Sequence, residues 1–255
     1  MAGSEQLLHP QVKKAPYAQP RFGTRTPLVD AVIFGLDDTL ITHSYGQLMV
    51  PRLRDADIPD LLRELRDSGL RLFMASGYVP ARKPSQDNPG LARLLAERGY
   101  KCNGSAMDGE DWKTSYSASE SEDPEDSGSL ILIPSATTPA NATAQKRFLM
   151  EELGIDPYLF EAILSFPYEH QSTMESYVRS KRGIYERVRA DSGISGERML
   201  VVSDKEAERN GIEALGMRFV HVKRATDAVL GSMEGEPDLT LGEMLKHPLF
   251  GNGQP

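Results

Sequence analysis

The stretch that decides the fold runs from Val29 to Leu40 and reads Val-Asp-Ala-Val-Ile-Phe-Gly-Leu-Asp-Asp-Thr-Leu. Residues 29–35 are a short apolar run that passes directly into a turn-rich acidic segment, the pattern of a strand buried on both faces of a parallel sheet. Working outward, runs of the same kind occur at 70–76 (LRLFMAS), 198–204 (RMLVVSD) and 217–222 (MRFVHV), with shorter strand candidates at 129–133 (SLILI) and 162–166 (AILSF). Helical spacing separates them. Ile58, Leu61, Leu62 and Leu65 place a helix over 58–68 that stops at Gly69, and further helices are expected at 89–98, 145–153, 181–191 and 211–216. Almost wholly apolar strands alternating with helices describe an α/β fold, a doubly wound and mostly parallel sheet.

Composition narrows the function classes. The chain has 255 residues, 39% hydrophobic and 26% charged, with one cysteine, which suits a single globular domain with loose appendages and excludes fibrous and disulfide-stapled proteins. Cys102, lacking a partner, is expected to be a buried or inert thiol. No uninterrupted apolar run approaches the ~18 residues of a spanning helix. The first 30 residues contain Lys13, Lys14, Pro16 and Pro20 and no apolar core of a secretory signal, so a cytoplasmic or nuclear protein is expected, not secreted and without membrane contact. Net charge is −8, and residues 103–129 alone hold eight acidic residues against Lys113. The remainder is therefore near neutral, without the clustered basic face that nucleic acid requires. The domain is expected over 29–250, between a flexible segment at 1–28 and a tail at 251–255. The acidic stretch 103–129 is expected to be a disordered surface insertion, with docking of a protein partner as its functional reading.

In doubly wound sheets the chemistry gathers at the carboxyl ends of the strands. The first strand leaves through Gly35-Leu36-Asp37-Asp38-Thr39, the second through Ser76-Gly77, and a later one through Ser203-Asp204 with Glu206 and Glu208 just beyond. Lys181 lies in a helix between them. Carboxylates from two strands, a small hydroxyl and a helix-borne ammonium suit phosphate and a divalent cation.

This order of features resembles the haloacid dehalogenase (HAD) superfamily of aspartate-based phosphohydrolases, from about residue 29 to 222. It is most similar to its small magnesium-dependent, acid phosphatase-like members, through YVRSKRGIYERV and SDKEAERNGIEALGMRFVHV. The resemblance implies a HAD-like Rossmannoid sheet and assigns roles position by position. Asp37 becomes the acid that protonates the leaving group, Ser76 and Gly77 contact the phosphoryl group, and Lys181 neutralises its charge. Thr39 holds the loop through its hydroxyl. Asp37 (through its carbonyl) and Asp204, with Glu208 as an alternative or outer ligand, hold Mg2+. Read without the resemblance, Ser76 is a strand-end turn residue, Lys181 an exposed first-turn lysine and Thr39 a helix N-cap. His43, His170 and Trp112 receive no role.

The departure from the family pattern Asp-x-Asp-x-Thr falls at its first position, which is Gly35. No side chain there can attack phosphorus or ligate the metal. If the strand continued, Asp37 would share a face with Gly35 but lie about 6–7 Å along the chain, and Asp38 would point to the opposite side. A displacement of about 1 Å can already cost on the order of a hundredfold in rate. A weakened magnesium site follows, with Asp204 holding the ion loosely alongside a phosphate ligand, and Ser203 removes one further carboxylate position. The region after the second strand is expected to supply one helix and a loop, hence a minimal cap and an open site.

Three readings stand. The chain is a phosphatase-like protein without its nucleophile that binds a phosphorylated small molecule or protein; or an active magnesium-dependent phosphomonoester hydrolase; or an enzyme of non-phosphoryl chemistry with Asp37 as general acid.

Overall fold

A computed structural model describes residues 28–42, 50–80, 89–108, 111–118, 130–168 and 173–222. Five strands, β1 (Ala31–Phe34), β4 (Arg71–Tyr78), β8 (Phe160–Pro167), β9 (Met199–Ser203) and β10 (Arg218–His221), form a sheet in the order β10-β9-β1-β4-β8. Every pairing in it is parallel. All four residues of β1 and all five of β9 are buried, as near-continuous apolar runs demand of central strands covered on both faces. Helices α1 (Ile58–Asp67), α2 (Pro89–Glu97), α3 (Pro139–Glu152), α4 (Met174–Ser192) and α5 (Arg209–Glu213) complete the alternation.

Two apolar clusters lie on opposite faces of the sheet. One joins Val32, Phe34, Leu72 and Met74 to the Ile58, Leu61, Leu62 and Leu65 stripe of α1 and to Leu149 and Met150 of α3. The other joins Ala31, Ile33, Phe73 and Val201 to Tyr185 and Val188 of α4 and to Ile212. Alternate residues of β1 thus face alternate layers, which is what makes the sheet doubly wound.

Helices α3 and α4 begin earlier than the apolar spacing predicts, at Pro139 instead of 145 and at Met174 instead of 181. Each has an N-cap threonine in extended conformation: Thr138 accepts from the Asn141 N–H and Thr173 from the Ser176 N–H. α4 ends at Gly193, whose φ of 69° is the left-handed conformation that closes a helix without steric cost. The consequence for Lys181 is large. It sits two turns inside α4 and not in an exposed first turn.

The structure also narrows the acidic insertion. Its first part forms β5 (Tyr100–Asp108) and β6 (Asp111–Ala118), which with β7 (Leu130–Pro134) make a three-stranded antiparallel sheet in the order β5-β6-β7. The strand expected at 129–133 therefore belongs to this sheet and not to the parallel one. Thr114 and Tyr116 alternate inward with period two, and Tyr116 and Ile133 join the main apolar cluster. Between β4 and β7 the chain thus supplies a helix and two paired strands where one helix and a loop were expected. The acidic run 119–129 lies outside the described residues, as do His43, His170 and the segments 1–27 and 223–255. Cys102 is exposed on β5, which removes the buried alternative from the buried or inert thiol expected. A two-residue hairpin pair, β2 (Ile41–Thr42) and β3 (Arg52–Leu53), flanks the loop that follows β1.

Candidate functional site

The sheet order places β1 between β9 and β4, so the ends of these three strands adjoin. β1 stops at Phe34, and the Gly35 N–H donates to the Val202 carbonyl at 2.9 Å. The strand does not persist to Asp37. A turn follows, in which Thr39, Leu40 and Ile41 N–H groups all donate to the Leu36 carbonyl and Asp38 takes a φ of 58°. That turn brings the Asp37 carboxylate to β4, where it accepts the Ser76 hydroxyl at 3.0 Å. Asp38 is buried and points away from extended-strand geometry.

Gly35 is a crowded position. A Cβ added there would lie 2.7 Å from Thr39 Oγ1 and 3.8 Å from Lys181 Nζ. Thr39 is fully buried, caps no helix, and its hydroxyl has no hydrogen-bond partner among the described residues. Its hydroxyl and the Lys181 ammonium therefore flank the point from which the missing side chain would grow.

Lys181 is buried at 2% exposure and donates to Glu208 Oε1 at 2.8 Å and to Ser203 Oγ at 3.2 Å. The second oxygen of Glu208 accepts the Tyr185 hydroxyl at 2.6 Å. Both oxygens of Glu208 are thus engaged by α4, which makes it the anchor of Lys181. Ser203 supplies a neutral acceptor to the same ammonium, so Glu208 is the carboxylate to which Lys181 donates. Asp204 meets the Lys205 ammonium through both oxygens, at 3.1 and 3.4 Å.

Sequence reasoning missed Lys146. It is carried by α3 and donates to the carbonyls of Ser76 and Gly77 at 2.9 and 2.7 Å, fastening the end of β4. The available signal was its spacing, four residues after Ala142 and three and four before Leu149 and Met150, which puts Lys146 on the buried face of α3. Tyr177 was missed too. Its ring lies 5.3 Å from Lys205 Nζ and 5.9 Å from Lys181 Nζ, and it packs edge-on against Phe166 and Tyr168. Gly77 leaves room for Tyr168, whose ring atoms would be 2.8 and 2.9 Å from an added Cβ.

Burial pushes the Lys146 ammonium down from 10.5 to about 8, against the attraction of Asp37 and with the repulsion of Lys181. The folded chain sheds this proton before the unfolded one does, so stability rises as pH is raised from about 8 toward about 10.5, by on the order of 3 kcal/mol. Burial and the Glu208 charge raise Tyr185 well above its usual 10.0, and burial raises Tyr177 likewise. Their folded forms keep protons that the unfolded chain loses, so the gain from Lys146 is cut off above about pH 10. Urea titrations across this window should show the rise in the unmodified chain and its absence in Lys146→Met. A flat profile in the unmodified chain would contradict the burial of a charged Lys146.

No family model and no curated protein matches the sequence. Solved structures do. One is the N-terminal part of a Bacteroides fragilis protein containing a phosphatase domain complexed with Mg. It is 10% identical over 88% of this chain, with a TM-score of 0.46, and this chain spans 41% of its length. A haloacid dehalogenase-like hydrolase from Streptococcus pneumoniae is 11% identical over 79% of this chain and 90% of its own, with a TM-score of 0.39. A HAD family enzyme from Bacteroides thetaiotaomicron, solved with magnesium and inorganic phosphate, is 10% identical over 77% of this chain and 95% of its own, with a TM-score of 0.37. The fold and the site described above rest on this chain's own strand order and residues. No described helix is long and apolar enough to cross a membrane.

Proposed function

We propose that the chain is a phosphatase-like protein of the HAD superfamily, of its small magnesium-dependent type, that binds a phosphorylated small molecule or protein and does not turn it over. The observation that carries this reading is the geometry at Gly35. No carboxylate can leave that position, and the Thr39 hydroxyl already lies 2.7 Å from where a Cβ would begin. Asp37, Ser76 and Lys181 nonetheless remain gathered around it, and two of them, the Ser76 hydroxyl and the buried Lys181 ammonium, suit an anion. Covalent catalysis needs a nucleophile in line with phosphorus, and binding needs only donors and charge. We assign the acidic run at 119–129 to a protein partner, and nucleic acid to none.

The donor set fits magnesium poorly. The ion prefers one or two carboxylates in a near-octahedral oxygen shell. Gly35 offers none, both Glu208 oxygens face Lys181 and Tyr185, and Asp204 already carries an ammonium.

The active-hydrolase reading is favoured by one feature, the retained Ser76 bond to Asp37, which would orient a general acid. Titration of the chain with inorganic phosphate tests the binding reading. The unmodified chain is expected to bind, and Ser76→Ala to bind roughly tenfold more weakly, as the loss of one charge-assisted hydrogen bond implies. Absence of phosphate binding by the folded chain would overturn it.

A further inference from the structure

Three ammonium groups reach this site from three separate elements. Lys146 comes from α3 and is fixed on the Ser76 and Gly77 carbonyls. Lys181 comes from α4 and is fixed on Glu208 and Ser203. Lys205 follows β9 and is fixed on Asp204, with its side chain 17% exposed. Lys181 and Lys205 both lie over the Tyr177 ring, which is itself within electrostatic reach of Asp37, Asp204 and Glu208. Lys146 in turn feels both Asp37 and Lys181. The charges of the site thus sit close together, three cationic and three anionic.

A dication placed on Asp204 would have to share that carboxylate with the ammonium already there. Two cations on one acid repel, and a mostly buried lysine has little water in which to be rehoused. A bound anion faces the opposite balance, since each ammonium it meets has spare N–H donors. The Thr39 hydroxyl adds a further donor. A fully buried hydroxyl without a partner is costly unless something accepts its proton, and it sits with Lys181 beside Gly35.

We propose that Lys205, docked on Asp204, stands in for the divalent cation, so that a phosphate-monoester dianion is held without a metal by lysine charge, by the Thr39 hydroxyl and by the Ser76 hydroxyl turned from Asp37. This inference rests on the phosphate-binding reading above and adds how the charge is met.

Calorimetric titration of the full chain with inorganic phosphate, once in excess chelator and once in excess magnesium, tests it. The expected result is equal affinity in the two buffers. Lys205→Met is expected to bind roughly tenfold to a hundredfold more weakly in chelator and to recover with magnesium, whereas Lys205→Arg keeps metal-free binding. Binding that requires magnesium in the unmodified chain overturns the inference and leaves the phosphate-binding reading standing. So does undiminished binding by Lys205→Met in chelator. Absence of binding in both buffers overturns the phosphate-binding reading and this inference with it. The two-buffer comparison uses only the unmodified chain, so it decides the matter even if Lys205→Met does not fold.

Discussion

Glu208→Ala is expected to lower the free energy of unfolding by about 3–5 kcal/mol, the usual cost of removing one partner from a buried ion pair. Lys181 and Glu208 have side-chain exposures of 2% and 1% and meet at 2.8 Å. Without the carboxylate, the ammonium keeps only Ser203 Oγ at 3.2 Å, and the Tyr185 hydroxyl loses its acceptor. Both are then buried with too few partners. Tyr185→Phe removes one hydroxyl and leaves the ion pair, so it should cost about 1–2 kcal/mol. Lys181→Met combined with Glu208→Leu removes both charges at similar volume, and should recover most of what Glu208→Ala loses. Urea unfolding followed by circular dichroism reads all of these. A loss below about 1 kcal/mol for Glu208→Ala would mean that the pair is solvated and that Lys181 is not held in place by it.

Gly35→Asp is the second large effect, and it has two parts. The new Cβ meets Thr39 Oγ1 at 2.7 Å, closer than packed atoms tolerate, so the variant should lose about 1–3 kcal/mol of stability. Thr39→Ala removes the obstructing oxygen, and the two substitutions should couple in a double-mutant cycle by about 1–2 kcal/mol. The chemical part is a gain. A carboxylate rooted 3.8 Å from Lys181 Nζ restores a nucleophile beside the ammonium that would neutralise phosphoryl charge. Hydrolysis of an aryl phosphate, expected to be absent in the unmodified chain, should appear. Additive stability losses at positions 35 and 39 would show that the Thr39 hydroxyl does not fill this space.

How far the sequence carried can be seen element by element. The strands at 29–35, 70–76, 198–204 and 217–222 are found within two residues at each end, because a strand covered on both faces has to be nearly all apolar. The ends of those strands then bring Asp37, Ser76 and Asp204 into one region without any further information. What was lost lies where burial is achieved by other residue types. β5 leaves Lys101 to Ala106 exposed, and in β6 only Thr114 and Tyr116 turn inward among serine, threonine and lysine, so composition hid the alternation. Lys146 falls inside the helix expected at 145–153, but its role depends on the tertiary approach of α3 to the end of β4, which a lysine in a helix does not announce. The Glu208 engagement with Lys181 and Tyr185 depends on tertiary placement of α4 beside the end of β9. Local sequence carries no trace of it.

The crowding at Gly35 was likewise beyond reach of pattern. The structure adds that Thr39 crowds the point where a Cβ at position 35 would begin, with a buried hydroxyl that has no partner among the described residues.

The central claim, binding without turnover for want of a nucleophile at position 35, is tested most directly by aryl phosphate hydrolysis. The unmodified chain, Gly35→Asp and Asp37→Asn should be assayed side by side in magnesium. Silence is expected from the unmodified chain and from Asp37→Asn, with turnover in Gly35→Asp. Turnover in the unmodified chain that disappears in Asp37→Asn would contradict it and would place the working acid or nucleophile at Asp37.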